Sequence, residues 1–247
     1  LIFSIVHLTE VEGLGQSMEV GMVVSREADV RMAEVPASAA QESLRYFLPN
    51  KMGRIVLLAL EEVMGHNGVN AVLNLARLQG RIGNYPPNNF AKEFGFDELG
   101  QVLQALDEMY GPRGGRGLAR RAGQACFKLG IIDFGPMLGV ADLTFRILPL
   151  GMRLKVGFEV LAQVLNKYTD NVVRLQEGEK HFHWIMDRCG VCWGRMSSSP
   201  CCHLAVGVLE EGLYWVSGGK SFYIEEVSCV AAGDRSCSFL VGKQPLD

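Results

Sequence analysis

Glu225-Glu226-Val227-Ser228-Cys229-Val230-Ala231-Ala232-Gly233-Asp234-Arg235-Ser236-Cys237-Ser238-Phe239 is the stretch on which the fold turns. It reads as a β-hairpin, with a strand over Phe222 to Cys229, a turn at Ala232-Gly233-Asp234 and a strand over Ser236 to Val241. With the turn centred on Gly233, Cys229 and Cys237 stand equidistant from it, so they oppose each other on adjacent strands with their side chains on one face. Two thiols thus converge at one end of a strand pair. Six of the seven cysteines fall between Cys189 and Cys237, and Cys126 alone lies elsewhere, where it reads as a small core residue. An odd, unevenly spaced set suits a metal better than a disulfide scaffold, and a tetrahedral zinc needs four donors, usually from more than one segment. The others could come from Cys201, Cys202 and His203, from Glu225 or Glu226, or from the pair Cys189-x-x-Cys192.

Upstream of the hairpin, Cys202 to Trp215 reads as a helix stopped by Gly218-Gly219, and Val172, Arg174, Gln176 with Phe182, Trp184, Met186 alternate as two strands joined near Gly178. Further back the period becomes helical. Asn50 reads as an N-cap for a helix ended by Gly65, a second helix runs from about Asn67 to Leu78, and Asp97 caps a third that closes at Gly111-Pro112. More helices are expected over about 116–130 and 151–168, with Ile131 to Pro149 as their apolar connection. Arg113-Gly114-Gly115-Arg116-Gly117 lacks the lysine and hydroxyl of a phosphate-binding loop, so its glycines are read as a place where two helices meet closely. Helices first and an antiparallel sheet later make an α+β domain, with helices packed on a twisted antiparallel sheet.

At 247 residues, 48% hydrophobic and 21% charged, the chain has the composition of a globular protein and not of a disordered one. Lys and Arg number 24 against 27 Asp and Glu, which argues against nucleic acid as a partner. No run approaches the ~18–20 apolar residues of a membrane helix. The longest, Ile55 to Leu60, stops at Glu61-Glu62, which reads as helix surface. With no basic region ahead of Leu1 to Val6, the expectation is a cytoplasmic protein. Residues 1–44, with short strand-like runs, read as an N-terminal extension to a single domain over 45–242.

Ser199-Pro200-Cys201-Cys202-His203, followed by Gly207-x-Leu209-x-x-Gly212-Leu213-x-Trp215 and the hairpin above, resembles the 4-vinyl reductase, or hydrocarbon-binding, domain family. The motif covers about 180–241, and the helical stretch from about Leu48 resembles the rest of that module. The resemblance implies an α+β ligand-binding fold shared with haem nitric-oxide sensors and with small subunits of the Golgi transport tethering complex. It also implies a zinc ion held by Cys202, Glu226, Cys229 and Cys237. Strict alternation places Glu225, not Glu226, on the face of Cys229, so that ligand set requires a bulge near Val227. Cys201 or His203 is an alternative first ligand, and a mixed site using Cys189 and Cys192 is the main alternative.

The function expected is binding of a hydrophobic or aromatic small molecule by a carrier or sensor module. A closed four-ligand zinc has no position open for water or substrate and is structural. His183, Trp184, Trp193 and Trp215 are the candidate ligand-binding residues, although a tryptophan is as readily a core residue and a strand histidine an exposed one. A reductase or accessory protein acting on a tetrapyrrole vinyl group is the alternative. It lacks a dinucleotide or flavin motif and a poised general acid, and no catalytic residue is assigned. An interaction subunit of a larger assembly is the second alternative. A homodimer is expected, on the resemblance and on the apolar helices from Ile131 to Leu165.

Overall fold

A computed structural model describes residues 45–138 and 147–246. The described residues belong to one compact unit that begins at Ser43. The strand-like extension expected at 1–44 lies outside the described residues.

Two short strands, β1 (Phe47–Pro49) and β2 (Lys92–Gly95), pair antiparallel and bracket helix α1 (Asn50–Leu75). Asn50 does not cap that helix. It is buried, and its Nδ2 donates to Asn89 Oδ1 at 3.1 Å and Glu93 Oε2 at 2.7 Å, fastening the helix to β2 and the segment before it. Helix α2 (Phe96–Leu138) follows, then α3 (Leu150–Tyr168). The stops read at Gly65 and Gly111 are real breaks, with φ of 75° and 71° interrupting α1 and α2. Only glycine adopts that backbone without steric cost, and Pro112 then begins the next helical segment, where a missing N–H does no harm. The connection read from Ile131 is corrected, since α2 continues to Leu138; residues 139–146 lie outside the described residues.

The C-terminal half is a four-stranded antiparallel sheet in the order β3-β4-β6-β5: β3 (Val172–Glu177), β4 (His181–Arg188), β5 (Phe222–Ser228) and β6 (Cys237–Pro245). Helix α4 (His203–Ser217) lies between β4 and β5 in sequence. Alternation along β4 buries Phe182, Trp184 and Met186, which pair with Val241, Phe239 and Cys237 of β6. Phe158 of α3 packs on that face, its ring centroid 5.5 Å from Phe182 and 5.8 Å from Trp184. This α+β arrangement of helices on an antiparallel sheet is the one read from the sequence.

Helices α2 and α4 cross at two glycines. A Cβ on Gly123 would overlap the carbonyl oxygen of Leu204, and one on Gly207 that of Arg120. The close helix contact expected at Gly114, Gly115 and Gly117 is made at Gly115, where a Cβ would lie 2.8 Å from Asp107 Cα of the helical segment before the Gly111 break. Among the described residues no helix is long and apolar enough to cross a membrane.

Candidate metal centre and apolar cavity

Six buried cysteines gather where β4, α4, β5 and β6 meet. Cys189 and Cys192 lie in the loop after β4, Cys201 and Cys202 precede α4, Cys229 follows β5, and Cys237 opens β6. The bulge required near Val227 is present. Glu226 pairs with Phe239 and Ser228 with Ser238, so Val227 is the extra residue, and Glu226 returns to the face of Cys229.

Sγ of Cys202 lies 3.8 Å from Cys229 and 3.7 Å from Cys237, and Cys229 lies 4.0 Å from Cys237. Tetrahedral zinc with Zn–S bonds of ~2.3 Å sets sulfur edges near ~3.8 Å, so these three atoms have the spacing of one face of such a tetrahedron. Glu226 offers a fourth donor. Its Oε2 accepts the Cys202 N–H at 2.8 Å, while Oε1 is buried with no hydrogen-bond partner. A buried carboxylate oxygen left unpaired is costly, and a cation among the sulfurs would satisfy it.

Donor atoms of Cys202, Glu226, Cys229 and Cys237 all lie within 4.8 Å of one another, and so do those of Cys189, Cys192, Cys202 and Cys237. Both groups could hold a metal ion. Cys201 and His203 enter neither: Cys201 Sγ meets Cys229 at 3.9 Å, and His203 sits in the first turn of α4. Burial, followed by the positive charges of Arg116 and Arg195, pushes the His203 imidazole down to about 4.

The electrostatics follow from the crowding. Burial pushes the Glu226 carboxyl up to about 8, and the neighbouring Cys229 adds to that. Hydrogen bonds from Cys192, Cys201, Cys202 and Cys237 hold the Cys229 thiol well below the ordinary range, while the Cys189 sulfur drives Cys202 well above it. Sulfurs at this spacing cannot all be thiolates unless cations sit among them.

Two residues that the sequence reading missed position the loop. Arg195 is buried, its Nη2 donating to Asp107 Oδ2 at 2.6 Å and its Nη1 to the Cys201 carbonyl at 3.2 Å. Burial raises the Asp107 carboxyl, and Arg195 opposes that rise. Asn171, also buried, accepts the Gly190 N–H at 2.9 Å through Oδ1 and donates to Thr169 Oγ1 at 2.9 Å. Neither carries a sequence signal, because each is tied to a partner distant in the chain, Arg195 to Asp107 and Asn171 to Gly190.

Beside the sulfur cluster lies a cavity of about 240 Å³, lined by all four helices, β4 and the loop at Gly190-Val191. Met52, Phe127, Phe158, Trp184, Leu209 and Trp215 represent its wall, and Asn171 is its one amide or charged side chain. Trp184 and Trp215 therefore stand where the ligand-site reading put them. Trp193 and His183 do not. Trp193 packs edge-on against Tyr46 at 5.0 Å and meets Phe96 at 6.1 Å, away from the cavity. His183 alternates with Phe182 and Trp184 and so takes the other face of the sheet. Cys126 is buried as expected but also lines the cavity, and burial pushes its thiol up to about 12. Glu61 and Glu62 form no dyad; Glu61 accepts the Tyr85 hydroxyl at 2.8 Å and Glu62 is exposed.

No protein-family model and no curated protein matches the chain. Among solved structures it is similar to the unliganded Fe(II) H-NOX protein from K. algicida, with a TM-score of 0.52 and 15% identity over 80% of this chain and 97% of that one. The S. oneidensis H-NOX protein in its Fe(II)NO ligation state gives a TM-score of 0.50 and 14% identity over 78% of this chain and 99% of that one. The fold is that of H-NOX domains. At such identity the likeness speaks for the fold alone, so the chemistry must come from this chain's own residues.

Proposed function

We propose that this domain binds an apolar, aromatic small molecule in the cavity between its helices and its sheet, as a carrier or sensor module, with zinc held by Cys202, Glu226, Cys229 and Cys237. The observation that carries the reading is the cavity wall, apolar throughout apart from Asn171. A dry apolar cavity of ~150 Å³ admits a single aromatic ring, so about 240 Å³ suits a substituted or bicyclic one. The Asn171 amide would orient a polar substituent on the guest. The zinc is structural: it would fix Cys202 at the head of α4, whose Leu204, Ala205, Val208 and Leu209 form part of the wall. The resemblance to hydrocarbon-binding domains points the same way.

The fold raises haem as another guest, and the residues present do not fit it. Haem iron takes an axial histidine, a thiolate, a methionine paired with histidine, or a tyrosine. Among the described residues no histidine or tyrosine lines the cavity, and no cation is there to meet the haem carboxylates. The Cys126 thiol, pushed up to about 12, is a poor thiolate donor.

Thermal unfolding against a panel of naphthalenes, biphenyls, alkylphenols and haemin tests the reading. An aromatic hydrocarbon should raise the melting temperature of the wild type, and Ala205→Phe, which fills the cavity, should abolish the rise while leaving zinc bound. A response to haemin alone, or to no compound, would overturn it.

A further inference from the structure

The two metal-binding groups share two members, Cys202 and Cys237, and together contain six donors: five sulfurs and the Glu226 carboxylate. We infer that they hold two metal ions at once, with the thiolates of Cys202 and Cys237 bridging them. The inference rests on the zinc reading above and adds a second ion on the side of Cys189 and Cys192.

Two features of the site carry it. The first is the donor count. Six donors of which two are shared make eight bonds, which is four for each ion, and neither ion is left with an open position. The second is the shared edge. Cys202 Sγ and Cys237 Sγ are 3.7 Å apart, the sulfur edge of a tetrahedral zinc thiolate. On one side of this edge Cys189 Sγ lies 3.7 Å from Cys202 and Cys192 Sγ lies 3.3 Å from Cys237. On the other side Cys229 lies 3.8 Å and 4.0 Å from the same two sulfurs. No group within 4.8 Å unites Glu226 or Cys229 with Cys189 and Cys192, so one ion cannot take all six donors.

The donor chemistry selects the metal. Sulfur with one carboxylate, in closed tetrahedra, suits zinc. An iron–sulfur cluster would need inorganic sulfide between the cysteines, and sulfurs 3.3–4.0 Å apart leave no room for it. The second ion would tie the loop after β4 to α4 and β6. Gly190 and Val191 of that loop line the cavity, so it would hold that part of the wall as the first ion holds α4.

Metal analysis of the full chain after reconstitution with excess zinc under reducing conditions, by native mass spectrometry, tests the inference. The wild type should carry two zinc ions. The double variants Cys189→Ser/Cys192→Ser and Glu226→Gln/Cys229→Ser should each keep one, and Cys202→Ser should fall below one. Cobalt titration of the wild type gives a measure free of any folding defect: two equivalents should bind with thiolate charge-transfer absorption. The paramagnetic resonance signal should rise to one equivalent and fall by the second, because shared thiolates couple the two spins. A wild type that carries a single zinc, retained in Cys189→Ser/Cys192→Ser, would overturn the second ion and leave the first reading standing. A wild type whose single zinc is lost in that variant and retained in Glu226→Gln/Cys229→Ser, or a wild type with none, would overturn both. Bound iron with acid-labile sulfide would overturn the inference as well.

Discussion

Strand β4 runs from a part of the molecule held by packing into a part held by donor atoms. At Phe182 and Trp184 the rings lie against Phe158 of α3 in apolar contact. Just past Arg188 the chain enters the loop of Cys189 and Cys192, where sulfurs approach to 3.3–3.7 Å and a buried arginine is held by Asp107. Packing tolerates gaps, and the cavity is one. A cluster of sulfur donors around a shared cation would not. On the proposed reading one region admits a guest, and the other keeps its geometry whether or not the guest is present.

Removing metal should have the largest effect and tests the contrast most directly. Apparent zinc binding in small structural sites is worth ~10–16 kcal/mol, so a chelator under reducing conditions should lower stability by more than any single change in the cavity. Hydrogen exchange should rise first in β5, β6 and the start of α4. An unchanged melting temperature with zinc removed would erase the distinction. Cys229→Ser should act in the same direction.

Packing changes come next. Trp184→Ala removes a fully buried ring and should cost about 3–5 kcal/mol in chemical denaturation, while zinc stays bound. Trp193→Ala, outside the cavity, should cost less and leave the affinity for aromatic guests unchanged. A loss of binding in Trp193→Ala would extend the site beyond the cavity wall. Gly207→Val sets a side chain against the Arg120 carbonyl, which is backbone and cannot turn aside. It should cost about 1–3 kcal/mol by overpacking at the α2–α4 crossing, and Val208→Ala beside it should be milder.

The smallest effect lies on the open surface. Glu177 accepts Lys243 Nζ at 2.8 Å and Lys155 Nζ at 2.9 Å, and these lysines hold its carboxyl at about 2. A carboxyl lowered by folding stabilises the native state above its unfolded value near 4.5, and that contribution disappears as the pH falls towards 2. Glu177→Gln should therefore be slightly less stable than wild type at pH 7, and the two should converge below about pH 4.5. Added salt should shrink the difference at pH 7. A difference independent of pH and salt would place the effect in packing.

Much of this was determined by the sequence itself, wherever the signal was local. Period-two runs placed β3 and β4, period-3.6 runs placed the helices, and Gly65, Gly111 and Gly233 marked the breaks and the turn, because a strand, a helix and a positive φ are each decided by near neighbours. The opposition of Cys229 and Cys237 is of that kind, since a hairpin fixes its own register. Tertiary structure alone decided the rest. The extra residue at Val227 brings Glu226 round to the sulfurs only in partnership with β6, and alternation by itself points to Glu225. Asn50, read as a cap, is claimed by Asn89 and Glu93. Trp184 and Trp193 are alike in sequence, yet one lines the cavity and the other stacks on Tyr46 and Phe96. A cavity is a volume that four helices and a strand fail to fill between them, and no single segment encodes it. The sharing of Cys202 and Cys237 between two sets of donors was settled in the same way. It depends on donor atoms from four separate segments, which only the packed chain gathers into two groups, the atoms of each lying within 4.8 Å of one another.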